Sequence, residues 1–367
     1  MRILAIDMGT GTQDILLFDS NRPIENSIKM VMPSATEVAA RRIREAHERK
    51  SRIILTGSVA GGGPCVWALE DYLRSGLEAF ASAEAAATFN DDLERVRELG
   101  VKILSDPELE RIEGIRVRLG DLDLEAIGQA LSAFEEPPDV DGYALGCLDH
   151  GAAPPEISDR TFRFDHIRRT VEGRNDLLAF AFAPRDLPPY LTRAKAMVAG
   201  AGTKAPVAFM DTGPAAALGA LHDERVGATD EQIVLNLGNM HLLGFHLRGR
   251  RIASLFEHHT GELATEQIEI LVRRLSNGSL KHAEVFETNG HGAFHPERGI
   301  VGATLPKMIA TIGPQRHRLK NSPLSPYFAV PYGDMMISGC FGLVRAFAEI
   351  HSAARDAVES QLGPLPG

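Results

Sequence analysis

The sequence predicts an α/β protein built from two related halves, and three observations lead to this prediction. Short apolar runs bounded by glycine, such as 3–6, alternate with amphipathic helical segments such as 35–49. A strand–glycine turn–strand pattern occurs twice, at 2–19 and again at 232–247. The chain has 367 residues, which is enough for two domains that each bury a core.

The composition excludes several classes of function. The chain has 39 Lys and Arg against 49 Asp and Glu, and this net charge of −10 disfavours binding to nucleic acid or to an anionic membrane. No apolar run reaches the roughly 18–20 residues of a membrane span. The sequence enters its first strand without a signal peptide, and its three cysteines are far apart. We therefore expect a cytoplasmic protein.

The first predicted strand, 3–6, ends at Asp7, and a second strand follows at 15–18. Four residues of the turn between them could bind an anion, two by exposing backbone N–H groups and two through hydroxyls: Gly9, Gly11, Thr10 and Thr12. Asp7 could hold Mg²⁺, which would in turn hold a phosphate. The alternative is an ordinary hairpin whose glycines only form the turn.

The next elements alternate in the same way. The sequence predicts helices at 35–49, 66–74, 90–99 and 122–134. It predicts strands at 52–56, 77–81, 116–119 and 140–148. Asn90 is the expected cap of its helix. The glycine-rich loop 57–63 is interpreted as a flexible connection rather than an anion site.

Asp149, His150 and Gly151 directly follow the predicted strand 140–148. A carboxylate and an imidazole at the carboxyl end of a strand lie where open α/β sheets place their chemistry. The alternative is a simple turn, since Asp and Gly both form turns.

The second part of the chain repeats the pattern. It predicts strands at 206–210, 232–235, 241–247, 284–287 and 327–330, and helices at 215–221, 262–275 and 335–361. Asn236 stands where Asp7 stands in the first half. The basic and aromatic segment 160–169 is interpreted as a solvated helix face rather than a phosphate contact.

Five segments together resemble the actin-like ATPase superfamily of acetate and sugar kinases, heat-shock chaperones and actin. They are the two phosphate loops, the two connecting helices and a glycine pair that meets adenosine, at 7–12, 236–239, 211–218, 339–343 and 289–292. The resemblance implies a two-domain α/β fold of the ribonuclease H-like type with a central nucleotide cleft. It also implies domains at 1–222 and 230–334, with a C-terminal helix at 335–362 returning to the first domain.

The resemblance implies ATP and Mg²⁺ as cofactors, with Asp7 as the metal residue. It assigns nucleotide binding to residues of both halves: Gly9, Thr10, Gly11, Thr12, Asp211, Asn236, Gly238, Asn239, His241, Asn289, Gly290 and Gly292. Two residues depart from the superfamily pattern. Asn236 replaces an Asp, so turnover could be slow, and Asp211 replaces a Glu.

The whole chain also resembles a prokaryotic family within that superfamily whose members carry GGGP, DHG, NxGNxH, EHHTG and NGHG segments. This chain has them at 61–64, 149–151, 236–241, 257–261 and 289–292. Some members are labelled as pyruvate formate-lyase activating enzymes. A radical enzyme of that kind needs three closely spaced cysteines for its iron–sulfur cluster, and this sequence lacks them.

Three functions follow from these residues. The first is ATP-dependent phosphoryl transfer to a small-molecule acceptor, or ATP hydrolysis, with Asp149 as general base assisted by His150. The second is a slow nucleotide-dependent switch that activates a partner enzyme. The third is a metal-dependent hydrolase that uses histidines near predicted loops: His150, His241, His258, His259, His291 and His295.

Overall fold

The computed structural model describes residues 1–297 and 304–364. Numbered along the chain, its strands are β1 (Arg2–Met8), β2 (Thr12–Asp19), β3 (Ile28–Pro33), β4 (Ile53–Gly57), β5 (Ala79–Ala81), β6 (Val101–Ile103), β7 (Ile115–Leu119), β8 (Gly142–Cys147), β9 (Ala181–Phe182), β10 (Val207–Asp211), β11 (Glu231–Leu237), β12 (His241–Arg248), β13 (Arg251–His259), β14 (Gly292–Phe294), β15 (Met308–Ile312) and β16 (Tyr327–Phe328).

The helices are α1 (Ala35–Glu48), α2 (Pro64–Arg74), α3 (Ala83–Ala86), α4 (Leu93–Glu98), α5 (Asp106–Leu109), α6 (Leu124–Ser132), α7 (Asp159–Gly173), α8 (Thr192–Gly200), α9 (Thr212–Ala220), α10 (Glu224–Gly227), α11 (Thr265–Ser276), α12 (His282–Glu287), α13 (Ser338–Ile350) and α14 (Arg355–Leu362). No helix in the described part of the chain is both long and apolar enough to cross a membrane.

Two six-stranded sheets share one plan. The first has the order β3-β2-β1-β8-β10-β9, and the second has the order β14-β13-β12-β11-β15-β16. In each sheet an antiparallel hairpin, β1–β2 or β11–β12, begins the pattern, and a later strand, β8 or β15, pairs in parallel with its first strand. The two related halves predicted from the sequence are therefore confirmed, and so is the α/β fold class.

A third sheet, all parallel in the order β6-β5-β4-β7, lies between β3 and β8 in the sequence. It has its own apolar core with α1 and α2, built around buried side chains such as Ile43, Leu55, Leu69 and Val117. The sequence predicted three of its strands but not that they form a separate sheet, because nothing local in a strand specifies its partners.

The central core lies between the two six-stranded sheets and includes α9 and α13. These helices touch through glycine: a Cβ on Gly219 would collide with the carbonyl oxygen of Ser338, and one on Gly342 with that of Ala215. Helix α13 also packs on β1, β8 and β10 of the first sheet. The predicted domain limits, 1–222, 230–334 and 335–362, stay a prediction.

Three predicted elements differ from the structure. Residues 284–287, predicted as a strand, belong to helix α12, whose first turn is closed by the backbone N–H of Lys281 donating to the Glu284 side chain over 3.0 Å. The C-terminal helix 335–361 is two helices, α13 and α14. Asp92, rather than Asn90, caps α4 by accepting a hydrogen bond from the Glu94 backbone N–H over 3.0 Å.

Candidate functional site

Two turns of the same construction join the first two strands of each sheet. The first turn, residues 9–12, is closed by the Gly9 N–H donating to the Thr12 carbonyl over 2.9 Å. The second turn, residues 238–241, is closed by the Gly238 N–H donating to the His241 carbonyl over 2.9 Å. The sequence echo therefore corresponds to a repeated backbone hydrogen bond as well as to a repeated strand order.

The two turns face one another across a crevice between the halves. A Cβ on Gly11 of the first turn would collide with the Asn239 side-chain amide of the second turn, so the turns are in contact. Gly9, Thr10, Gly238 and Asn239 all line this crevice, whose volume is about 120 Å³. Small-molecule sites are usually about 300 Å³ or larger. The crevice alone therefore holds only part of a nucleotide in this conformation.

Two carboxylates form the floor of the crevice. Asp7 of β1 lies directly opposite Asp14 of β2, and Thr212 donates its hydroxyl to Asp7 Oδ1 over 2.5 Å. Burial raises the pKa of Asp7 to about 7, although the Thr212 hydrogen bond opposes this. Burial and the Asp7 charge raise the pKa of Asp14 to about 8. Within the described residues, Asp14 Oδ1 is buried and accepts no hydrogen bond.

This donor set fits Mg²⁺, which prefers carboxylate oxygens and keeps several water ligands. Two buried carboxylates repel one another unless a proton or a cation lies between them. Gly339 of α13 leaves room for the pair, because a Cβ there would collide with Asp7 Oδ2. Asp7 and Asp14 are therefore the residues that could hold the metal.

The second half contributes an amide at the corresponding place. Asn236 of β11 lines the crevice, but its cross-strand partner is Leu243 rather than a second acid. Gly313 and Pro314, which follow β15, complete this wall. Sequence analysis missed them because it did not predict β15. The parallel pairing of β15 with β11 places its carboxyl end beside Asn236, a typical ligand position in such sheets.

A larger cavity of about 380 Å³ adjoins the crevice. The two spaces share the same boundary residues: Thr10, Leu148, Arg193, Met240 and His241. The glycine-rich loop, interpreted from sequence as a flexible connection, forms part of its wall through residues 61–63. The Gly61 N–H donates to Asp121 Oδ1 over 3.0 Å, which anchors the loop.

Arg193 is the cation at the boundary between the crevice and the cavity. Its Nε donates to Asp121 Oδ2 over 2.6 Å, and its Nη1 donates to the Leu148 carbonyl over 2.7 Å. Burial raises the pKa of Asp7 and of Asp149, and the nearby charge of Arg193 partly opposes both shifts. No motif marks this arginine, so sequence analysis did not single it out.

Asp149 lines the cavity, as a general base would, but it also has a structural task. Its Oδ1 accepts the Gly151 N–H over 2.8 Å, and its Oδ2 accepts the Ala194 N–H in the first turn of α8 over 2.9 Å. Burial raises its pKa in spite of these hydrogen bonds. Its assignment as general base stays a prediction.

Four imidazoles, here called the histidine cluster, converge at the edge of the cavity: His150, His241, His259 and His291. His150 Nε2 and His291 Nε2 are 3.2 Å apart. The His259 ring centroid lies 4.9 Å from that of His241 and 4.8 Å from that of His291. Burial lowers the pKa of His150 well below its usual value, and it lowers the pKa of His259 to about 4 and of His291 to about 3. Burial therefore favours the neutral form of all three rings.

A buried ion network supports the histidine cluster. Glu257 of β13 accepts from Arg163 Nε over 3.2 Å and pairs with His241 Nδ1 at 3.0 Å. Arg163 also pairs with Asp211, so it links the second sheet to the first. Burial alone would raise the pKa of Glu257, but Arg163 holds it well below the usual range. The prediction that 160–169 is a solvated face is therefore wrong for Arg163, whose partners lie far away in sequence.

The remaining predicted residues lie outside the crevice wall. Asp211 pairs with Arg163 and caps α9 by accepting the Gly213 N–H over 3.0 Å. Asn289 and Gly290 lie in the turn between α12 and β14, and Gly292 is the first residue of β14. Gly290 packs against His258 and Val285. This turn brings His291 into the histidine cluster. His258 and His295 bond instead to Thr288 and to the Leu280 carbonyl.

A family model described as "Putative pyruvate format-lyase activating enzyme (DUF1786)" matches residues 60–318, which is more than half of the chain. A sequence comparison with curated proteins finds no match.

Several solved structures are similar to this chain. ROK hexokinase from Thermus thermophilus is 16% identical with a TM-score of 0.24, and the match covers 69% of this chain and 47% of the hexokinase, about half its length. The Lmo2764 protein from Listeria monocytogenes is 11% identical with a TM-score of 0.34, and the match covers 96% of this chain and 100% of the Listeria protein. Ethanolamine utilization protein EutJ from Carboxydothermus hydrogenoformans is 11% identical with a TM-score of 0.29, and the match covers 95% of this chain and 89% of EutJ.

Proposed function

The chain belongs to the DUF1786 family, and we propose that it binds ATP with Mg²⁺ between its two halves and transfers or hydrolyses the terminal phosphate. One observation carries this proposal. Two turns with the same closing hydrogen bond face each other over the buried carboxylates of Asp7 and Asp14. Phosphoryl transfer depends mostly on positioning and on charge neutralisation, and this arrangement offers both.

Each part of the crevice has a role in the proposal. Asp7 and Asp14 would hold Mg²⁺, which neutralises phosphate charge when bound. Backbone N–H groups of residues 10–12 and 239–240 would contact the phosphates from opposite sides, since those of Gly9 and Gly238 close the turns. We place the adenosine beside Gly313 and Pro314, since the turn at 289–292 lies outside the crevice wall.

The adjoining cavity would hold the acceptor. Arg193 lies at the boundary, where it can neutralise the group being transferred. Asp149 lines the acceptor side and would take the proton of a small hydroxyl compound or of water. The volume of about 380 Å³ suits a small molecule.

The family description does not extend to a cysteine-bound iron–sulfur cluster in this chain. Cys65, Cys147 and Cys340 are all buried and unpaired. Cys147 packs in the core on one face of the first sheet and Cys340 in the core on the other face. Thiolates so placed cannot bind one cluster, which needs its cysteines around a common centre.

Asn236 favours a second form of the proposal, in which turnover is slow and the nucleotide state is read by a partner enzyme. An amide orients water but is a poor base and a weak Mg²⁺ ligand. A steady-state ATPase assay separates the two forms. Stimulation by a small hydroxyl compound supports a kinase, whereas a low rate that rises only with a partner protein supports a switch.

The test of nucleotide binding is a calorimetric titration of ATP, with and without Mg²⁺, into the wild type and Asp7→Asn. We expect Mg²⁺-dependent binding by the wild type and its loss in Asp7→Asn. Asp19→Asn is the matched control, because Asp19 lies at the opposite end of the same hairpin. Equal affinity of Asp7→Asn and the wild type would remove the site assignment.

A further inference from the structure

We propose that His150, His241 and His291 form a binding site for a transition metal of the Zn²⁺ class, separate from the Mg²⁺ site at Asp7. One ring nitrogen from each residue lies within 4.8 Å of the other two. Neutral imidazole is a preferred ligand of Zn²⁺, and three histidines with one open position are typical of catalytic zinc. This inference does not depend on nucleotide binding.

The spacing of the nitrogens suits such an ion. Tetrahedral Zn²⁺ with Zn–N bonds near 2.0–2.1 Å places its ligand nitrogens about 3.3 Å apart. The two Nε2 atoms of His150 and His291 are 3.2 Å apart, so this pair already has the separation that zinc requires. The His241 nitrogen lies within 4.8 Å of both and would move inward to complete the triangle.

The groups behind the ligands are also those of a metal site. His241 Nδ1 faces Glu257 Oε1 at 3.0 Å, which leaves the lone pair of Nε2 free for a metal. Histidine ligands usually donate their second N–H to a carboxylate in this way. Arg163 fixes Glu257 from the other side over 3.2 Å.

The ligands come from both halves of the molecule. His150 follows β8 of the first sheet, whereas His241 begins β12 and His291 precedes β14 of the second. The ring of His259, the cross-strand partner of His241, packs against His241 and His291 without belonging to the group of three nitrogens. His150, His241 and His259 also line the cavity of about 380 Å³, so the open position would take an oxygen of water or of a bound substrate.

The experiment uses the full chain, stripped with a chelator and titrated with Zn²⁺, and with Co²⁺ as a spectroscopic probe. We expect one ion per chain and visible cobalt bands of a nitrogen-bound tetrahedral site. His241→Gln and His291→Gln should each weaken Zn²⁺ binding at least about tenfold. His47→Gln is the matched control, because His47 is half-buried on α1 and contacts Tyr72 instead of the histidine cluster.

Two further readouts keep the test decisive. Zn²⁺ should raise the midpoint of thermal unfolding of the wild type, since a ligand that binds only the folded state stabilises it. Each variant is checked for native circular dichroism, and His291→Gln is also checked for MgATP binding, which should persist because His291 lies outside the crevice wall. Failure of MgATP binding with intact zinc binding would overturn only the proposed function. Zinc binding that is absent, or equally tight in the folded ligand variants, would overturn the metal site.

Discussion

At the scale of the residue, the facing pair Asp7 and Asp14 makes stability depend on pH. Both carboxyls have pKa values raised by burial, to about 7 and about 8. The folded state therefore holds protons that the unfolded state releases above pH about 4. Without Mg²⁺, the contribution of this pair to the free energy of unfolding should fall as pH rises from about 4 to about 8, whereas the buried histidines with lowered pKa values contribute in the opposite sense below pH about 6.5.

The measurement is urea unfolding of the metal-free protein across that pH window. The free energy of unfolding of Asp14→Asn minus that of the wild type should increase across the window, because an amide has no proton to lose and the histidines are common to both proteins. Mg²⁺ should stabilise the wild type more at the upper end of the window, since Mg²⁺ affinity should rise with pH as the carboxyls ionise. The same pH dependence in the two proteins would show that this pair does not titrate as described.

Asp149 gives a prediction with two readouts. Asp149→Asn should lower the free energy of unfolding by about 1–3 kcal/mol, since an amide oxygen can serve only one of the two backbone N–H donors. It should also stop turnover while leaving MgATP affinity unchanged. Asp123→Asn is the control, because Asp123 accepts one N–H at a helix cap where Asn serves equally well. Retained turnover in a folded Asp149→Asn protein would rule out this base.

Residues whose role depends on neighbours in sequence could be predicted, and others could not. Asp7 and the first turn were found because strand, turn and acid are contiguous. Arg163 was missed because its partners Asp211 and Glu257 are 48 and 94 positions away. Asn289, Gly290 and Gly292 were assigned to adenosine by resemblance, and only tertiary structure shows their turn beside the histidine cluster.

At the scale of the element, α9 and α13 cross where glycine allows contact between backbones. Gly342→Ala should destabilise the protein by about 1–3 kcal/mol, because the new Cβ would collide with the Ala215 carbonyl. Gly173→Ala is the control, since a Cβ at the end of α7 would meet no atom within 4 Å. Chemical unfolding measures both, and equal stabilities would contradict the close crossing.

Helix α7 joins the two sheets through the buried Arg163. Arg163→Met should cost about 3–5 kcal/mol in the free energy of unfolding, because it leaves Asp211 and Glu257 buried without their cation. Arg168→Met on the same helix removes an ion pair whose arginine side chain is 48% exposed, so its cost should be at most about 1 kcal/mol. Similar losses in the two variants would contradict the special role of Arg163.

Elements were predictable where their pattern is long or strongly bounded. Helices α1 and α2 were found because a sustained amphipathic face or a proline start marks them. Residues 284–287 were mistaken for a strand because four residues are too few to show clearly either the helical period of about 3.6 residues or the strand period of about two. Helix α13 ends without a breaking residue such as proline, at His351, whose backbone leaves the helical region.

At the scale of the whole molecule, the repeat of strand, glycine turn and strand was the most reliable sequence signal. It predicted two halves, and the two sheets share their order and the hydrogen bond that closes each turn. The inserted parallel sheet and the histidine cluster arise from contacts between segments that are distant in sequence, so no local sequence pattern predicts them. Because the crevice of about 120 Å³ is small, we expect the halves to move apart to admit a nucleotide.

The most direct test of the central claim is a crystal structure of the protein with a non-hydrolysable ATP analogue and Mg²⁺. The account predicts one triphosphate in contact with the backbone of both turns, residues 9–12 and 238–241, and Mg²⁺ beside Asp7 and Asp14. A triphosphate bound to one turn alone, or elsewhere on the surface, would contradict it.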